Sequence, residues 1–174
     1  MSQSTDTTTT QTPPPVAESQ PQHRWLRKLL GEWTYEFQEP AGPKEPAVKA
    51  TGTESVRAIG DLWVLAEGRG EMPGAGLHTT IQTLGYAPDK GRFVGTWIGS
   101  MMTDLWIYDG ELDPAERVLT LNSEGPSMKG DGTRAQYQDV IEFKNDDHRV
   151  LTARTQKEDG TWQQFMTVHY RRKK

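Results

Sequence analysis

The sequence predicts an all-β fold: a meander of about ten antiparallel strands rolled into an up-and-down barrel behind a short helix. Apolar and aromatic residues recur at every second position through most of the chain, the spacing of strands with one buried face. The links between these runs are short and rich in Gly, Pro, Asp and Asn. None carries the dozen or more residues of helical periodicity that a parallel crossover needs.

Residues 1–20 stand apart. They are a string of Thr, Gln, Ser and Pro, with Thr7–Thr10 and Pro13–Pro15, and they cannot bury enough apolar surface to offset the entropy of ordering. They read as a disordered tail ahead of a single domain spanning 21–174. Trp25, Leu26, Leu29 and Leu30 then recur at helical spacing, with Gly31 as a stop signal, which predicts one amphipathic helix over 22–30. After Gly31 the period becomes two, and Trp33, Tyr35 and Phe37 share one face of the clearest strand in the chain. Pro40–Pro46 turns the backbone, and Val48–Arg57 continues as a second strand. Further strands are expected near 62–71, 78–87, 92–100, 103–109, 117–124, 136–144, 148–156 and 162–171. Pro88-Asp89-Lys90-Gly91 and the Asp-Gly pairs at 109–110 and 159–160 carry turn chemistry, and 126–135 reads as a longer loop.

A sheet of sequential neighbours leaves two unpaired edges unless its first and last strands meet, so closure is the economical arrangement. Eight strands already enclose room for side chains or one small ligand, so about ten should enclose a cavity, with the helix plugging one end.

Composition narrows the function. A formal net charge of -4 provides no broad positive field, which argues against nucleic acid and anionic membrane as partners. The run Arg171–Lys174 reads as a solvated chain end. The absence of cysteine removes disulfides, thiolate metal sites and cysteine nucleophiles. The N-terminus lacks a secretory pattern, and a cytoplasmic location is the default expectation. No apolar run reaches the length of a membrane-spanning helix.

Residues 25–173 resemble the bacterial family known as domain of unknown function 1579, whose members are assigned to calycin-like or lipocalin-like barrels. The resemblance rests on the helix leading into Gly31-Glu32-Trp33, on Thr51–Glu54, on Leu84–Phe93, on Gly95–Met101 and on His169–Lys173. It departs from the pattern at Gly99, where an aspartate is usual. Gly31-x-Trp33 is also similar to the lipocalin signature, which implies a tryptophan packed across the closed end. The resemblance implies a fold and no settled activity.

No catalytic motif is present. There is no His-Glu-x-x-His and no Gly-x-Ser-x-Gly elbow, and the carboxylates Glu67, Glu71, Asp104 and Glu124 form no evident pair. His23 and His148 read as exposed. His169 lies late in the last strand, and the more distant resemblance to nitrobindin-like barrels implies haem ligation there as an alternative. The leading expectation is a binding module with no cofactor that holds a small hydrophobic or aromatic molecule. Trp33, Tyr35, Trp97 and Trp106 form its walls and His78 its polar anchor. An enzyme would need His78 beside a strand carboxylate, and a structural dimer with a filled core is the third reading. Strands 92–100 and 103–109 are apolar on both faces, which suggests a homodimer or a cover from the helix. Deleting residues 1–20 is expected to leave the melting temperature unaltered in a thermal scan, since the segment has nothing apolar with which to pack.

Overall fold

The computed structural model describes residues 16–38, 49–72 and 76–174. Most of the expected tail and the turn expected at Pro40–Pro46 lie outside the described residues. The helix forms as α1, Pro21–Leu26, followed by a 3-10 turn over Arg27–Leu29. Ten strands follow: β1 Gly31–Gln38, β2 Lys49–Ile59, β3 Trp63–Met72, β4 Gly76–Ala87, β5 Arg92–Gly99, β6 Trp106–Leu112, β7 Val118–Pro126, β8 Arg134–Asn145, β9 His148–Gln156 and β10 Trp162–Arg172. Each pairs antiparallel with its neighbour in sequence, and β1 pairs with β10 to close the barrel. Closure is made by Trp33 opposite Arg172, Tyr35 opposite Tyr170 and Phe37 opposite Val168.

One pair of turn residues was not a turn. Asp109 and Gly110 lie within β6, where Gly110 is buried and a Cβ would stand 2.7 Å from Leu121 Cδ2. That glycine is there for close packing. The turn comes at Asp113–Arg117, where Asp113 Oδ1 accepts the backbone N–H groups of Arg117 and Val118, both at 2.7 Å.

The helix closes the end of the barrel where β2 meets β3 and β4 meets β5. Trp25, Leu26 and Leu29 are buried beneath it, and the Trp25 indole donates to the Glu116 carbonyl at 2.8 Å. His23, expected to be exposed, is buried instead. Its Nδ1 accepts the Gln20 N–H at 2.9 Å and its Nε2 lies 3.1 Å from the Tyr86 carbonyl, so the ring stitches the helix start to β4. Gln20, counted with the tail from sequence, instead caps the helix, and a truncation that leaves the melting temperature unaltered must stop short of it. Arg172, read from sequence as part of a solvated end, donates to the carbonyls of Leu30 and Lys28. These carbonyls end a helix and have no partner within it, so a cation satisfies both hydrogen bonding and dipole. Trp33 is fully buried against this end, with its indole N–H on the Leu29 carbonyl at 2.9 Å. Among the described residues, no helix is long and apolar enough to cross a membrane.

Candidate functional site

Strand alternation assigns the inward side chains. On β5 they are Phe93, Gly95 and Trp97, on β8 Tyr137, Asp139, Ile141 and Phe143, and on β10 Val168 and Tyr170. Towards the helix the interior is solid: Trp33, Leu84, Phe93, Leu119, Leu121 and Ile141 keep at most 2% of their surface accessible. Towards the other end the inward residues are mixed: Phe37, Ala50, Ser123, Tyr137 and Val168 are buried, whereas Gln82, Trp97, Trp106, Asp139, Phe165, Met166 and Tyr170 stay partly accessible to water. An inward side chain of a closed barrel is wetted from the bore. The interior is thus solid beside the helix and less completely filled towards the open end, the part termed the bore.

A polar layer forms the boundary. Arg149 is 3% exposed and pairs with Glu54. Its guanidinium lies 3.9 Å from the Tyr170 ring centre and 4.8 Å from that of Trp33, so aromatic faces share the stabilisation of its charge. Burial pushes the Glu54 carboxyl up and the Arg149 charge pulls it back. Burial, and then the Glu54 charge, raise the Tyr35 and Tyr170 phenols. A void of about 10 Å³ lies between Glu54, Gln82, Arg149 and Leu84, room for about one water. The roominess expected of the interior is thus not met at its centre.

The second polar group is Asp139. Its Oδ2 accepts the Tyr108 hydroxyl at 2.5 Å, and burial, outweighing that bond, raises the carboxyl to about 6. Burial and the neighbouring carboxylate together raise the Tyr108 phenol. Asp139 Oδ1 and the Tyr170 hydroxyl make no hydrogen bond within the described residues, yet neither belongs to the polar atoms sealed from water. They face the bore.

Nearer the mouth, the Tyr35 hydroxyl lies 3.1 Å from His78 Nε2. A Cβ at Gly52 or Gly70 would collide with Tyr35, so these glycines make the space the ring occupies. His78 Nδ1 is buried without a partner. Trp97 stands opposite Trp106 across β5 and β6. Trp106 meets Tyr137 edge to face at 5.0 Å, and Tyr137 meets Phe165 at 6.2 Å, the arrangement that ring quadrupoles favour.

Of the residues singled out from sequence, His78, Trp97 and Trp106 are half-buried towards the open end, and Tyr35, itself buried, stands beside His78. Trp33 does not join them, being sealed beneath Arg149. The phenol of Tyr35, not a carboxylate, stands beside His78. His169 points outward between inward Val168 and Tyr170, and its Nδ1 lies 3.1 Å from His148 Nε2. It therefore points away from any haem held within the barrel, contrary to what the resemblance to nitrobindin-like barrels implies. His148, expected to be exposed, is half-buried in this pair. A depression of about 530 Å³ beside it, lined by Asp146, Asp147, Arg171 and Lys174 among others, is open to solvent and separate from the bore. Glu67, Glu71 and Glu124 face outward and pair at most with surface arginines. The sequence reading missed Glu54, Asp139 and Arg149. Each is a charge at core parity, Asp139 for example in the row Tyr137, Asp139, Ile141, Phe143, and that misplaced charge was the available signal.

The family model for DUF1579, described as a protein of unknown function, matches residues 18–172. The chain belongs to this family. No curated protein matches it. Among solved structures, Rv2717c from M. tuberculosis is similar at 13% identity with a TM-score of 0.57, over 90% of this chain and 100% of that one. The S-type phycobiliprotein lyase CPES from Guillardia theta is similar at 10% identity with a TM-score of 0.56, over 87% and 92%. At these identities the likeness is one of fold.

The raised Asp139 carboxyl has a consequence for stability. The folded chain holds this proton more tightly than the unfolded chain, whose carboxyl titrates near 3.8. The group therefore costs stability above about pH 6, and the cost disappears as the pH falls towards 4. Asp139→Asn, which can still accept the Tyr108 hydroxyl, is expected to stabilise the protein by about 1–3 kcal/mol at pH 7.5. Chemical denaturation at pH 7.5 and pH 4 checks this, with most of the gain absent at the lower pH.

Proposed function

We propose that this protein is a binding module that holds one small, flat, largely apolar molecule in the accessible half of its barrel. The supporting observation is the contrast between the two halves. Side chains fill the interior beside the helix, whereas towards the mouth Trp97, Trp106, Phe165 and Met166 point inward and stay partly wetted. Aromatic and apolar walls with a few fixed polar groups are the usual make-up of small-molecule sites. Tyr35, Trp97 and Trp106 form the wall, and His78, held by Tyr35, is the polar anchor at the rim. Trp33 belongs to the core beneath.

Native mass spectrometry of protein purified from its own host tests this. A small-molecule adduct is expected on the wild type. Trp97→Ala is expected to weaken its retention about tenfold, equivalent to about 1.4 kcal/mol. A wild-type protein that leaves its host without an adduct and binds nothing from an aromatic compound library would overturn the reading.

A second reading concerns the outer surface. Ile81 and Ile98 stand opposite one another on β4 and β5, and Ile107 extends the outward row onto β6. Ile98 is 47% and Ile107 65% exposed. The helix lies over the end of the barrel and leaves this face bare. We propose that a second copy covers it in a homodimer, since contiguous exposed apolar surface marks interaction sites. Light scattering is expected to give twice the chain mass, with Ile107→Lys returning it to the monomer value.

A further inference from the structure

The inward charges of the bore do not balance. Arg149 is committed to Glu54. Asp139 makes no ion pair among the described residues, and its one hydrogen bond comes from the neutral Tyr108 hydroxyl. Its other oxygen, Oδ1, makes no hydrogen bond among the described residues, and the side chain lies on the inward face of β8. The ionisable groups around it are Tyr108 on β6, Tyr170 on β10 and the Glu54–Arg149 pair carried by β2 and β9, and none supplies an uncommitted cation. A buried carboxylate with an empty acceptor site is costly unless something compensates it.

The surroundings suit one kind of compensation. Tyr137 precedes Asp139 by two residues on the same face of β8, so its Cα stands about 7 Å further along the strand towards the mouth. Around it are Trp106, Phe165 and, across from Trp106, Trp97. Ring faces attract cations, and a carboxylate below a group of aromatics is complementary to an organic cation with an apolar body. A carboxylate ligand would instead meet like charge at the floor.

Resting on the reading of the bore as a binding site, we infer that its ligand is an aromatic or lipophilic amine. The protonated nitrogen sits on Asp139 Oδ1, and the ring system lies among Trp97, Trp106, Tyr137 and Phe165. Tyr108 is a positioning residue that holds the carboxylate with Oδ1 towards the mouth.

The test uses three probes that share a ring and differ in charge: 1-naphthylmethylammonium, 1-naphthalenemethanol and 1-naphthoate. Their affinities are measured by isothermal titration calorimetry on the full chain. At pH 7.5 the ammonium is expected to bind at least tenfold more tightly than the alcohol, and the naphthoate at least tenfold more weakly. In Asp139→Asn the preference of ammonium over alcohol is expected to fall to about one while the alcohol still binds, which also shows that the variant is folded. The wild type at pH 5 provides an independent arm: Asp139 is then mostly protonated, and the same preference is expected to shrink several-fold. If the alcohol or the naphthoate matches the ammonium at pH 7.5, the amine inference falls and the bore remains a binding site. If none of the three binds, the reading of the bore itself falls.

Discussion

Everything in this molecule follows from the pairing of its first strand with its last. The hydrogen bonds between β1 and β10 join Trp33 to Arg172 and Phe37 to Val168 across more than a hundred residues of chain. They remove both free edges, which would otherwise present unpaired backbone groups to other chains. They also divide the side chains of ten strands into an inside and an outside. Without that ladder Asp139 would be an ordinary carboxylate on a sheet surface, and the Glu54–Arg149 pair would be a solvated contact of little consequence. Closure raises the importance of both, because water then reaches them only through the bore.

The interior uses this closure unevenly. Beside the helix it is packed with large apolar side chains. The middle layer contains an ion pair, two phenols and a carboxylate that takes up its proton more readily than usual. A buried pair of this kind seldom adds stability over a well-packed apolar substitute. Groups that are costly for the fold and that converge on accessible space are the ordinary signature of a place where something binds. The aromatic belt above them adds shape and polarisable surface.

How much of this could be read from sequence varied with the kind of information involved. All ten strands were legible, because period-two alternation and Gly/Asp turns are local signals that tertiary contacts reinforced. The exception at Asp109-Gly110 shows the limit. A glycine selected so that Phe93 and Leu121 can approach looks the same in sequence as one selected for a turn. His23 was misread because its burial depends on Tyr86, a residue far along the chain. The site was half legible. Period-two spacing put Tyr35, Trp97 and Trp106 on inward faces, where the structure has them, but could not give the depth of Trp33 along the barrel axis, which depends on the helix. Glu54, Asp139 and Arg149 were passed over because a charge in a half-polar strand is usually solvated. Only register shows that they share a layer.

The crowding of Tyr35 over Gly52 and Gly70 constrains the route by which such a barrel can diverge. Neither glycine can gain a side chain while the tyrosine is present, and the tyrosine cannot move aside without releasing His78. A lineage that begins by shortening residue 35 leaves the movable His78 ring as the nearest obstacle at Gly70, whereas Gly52 stays closed because a Cβ there would also collide with the Arg69 carbonyl oxygen. A lineage that begins at either glycine is blocked. The order of substitutions, and not only their sum, then decides which descendants of this barrel are reachable.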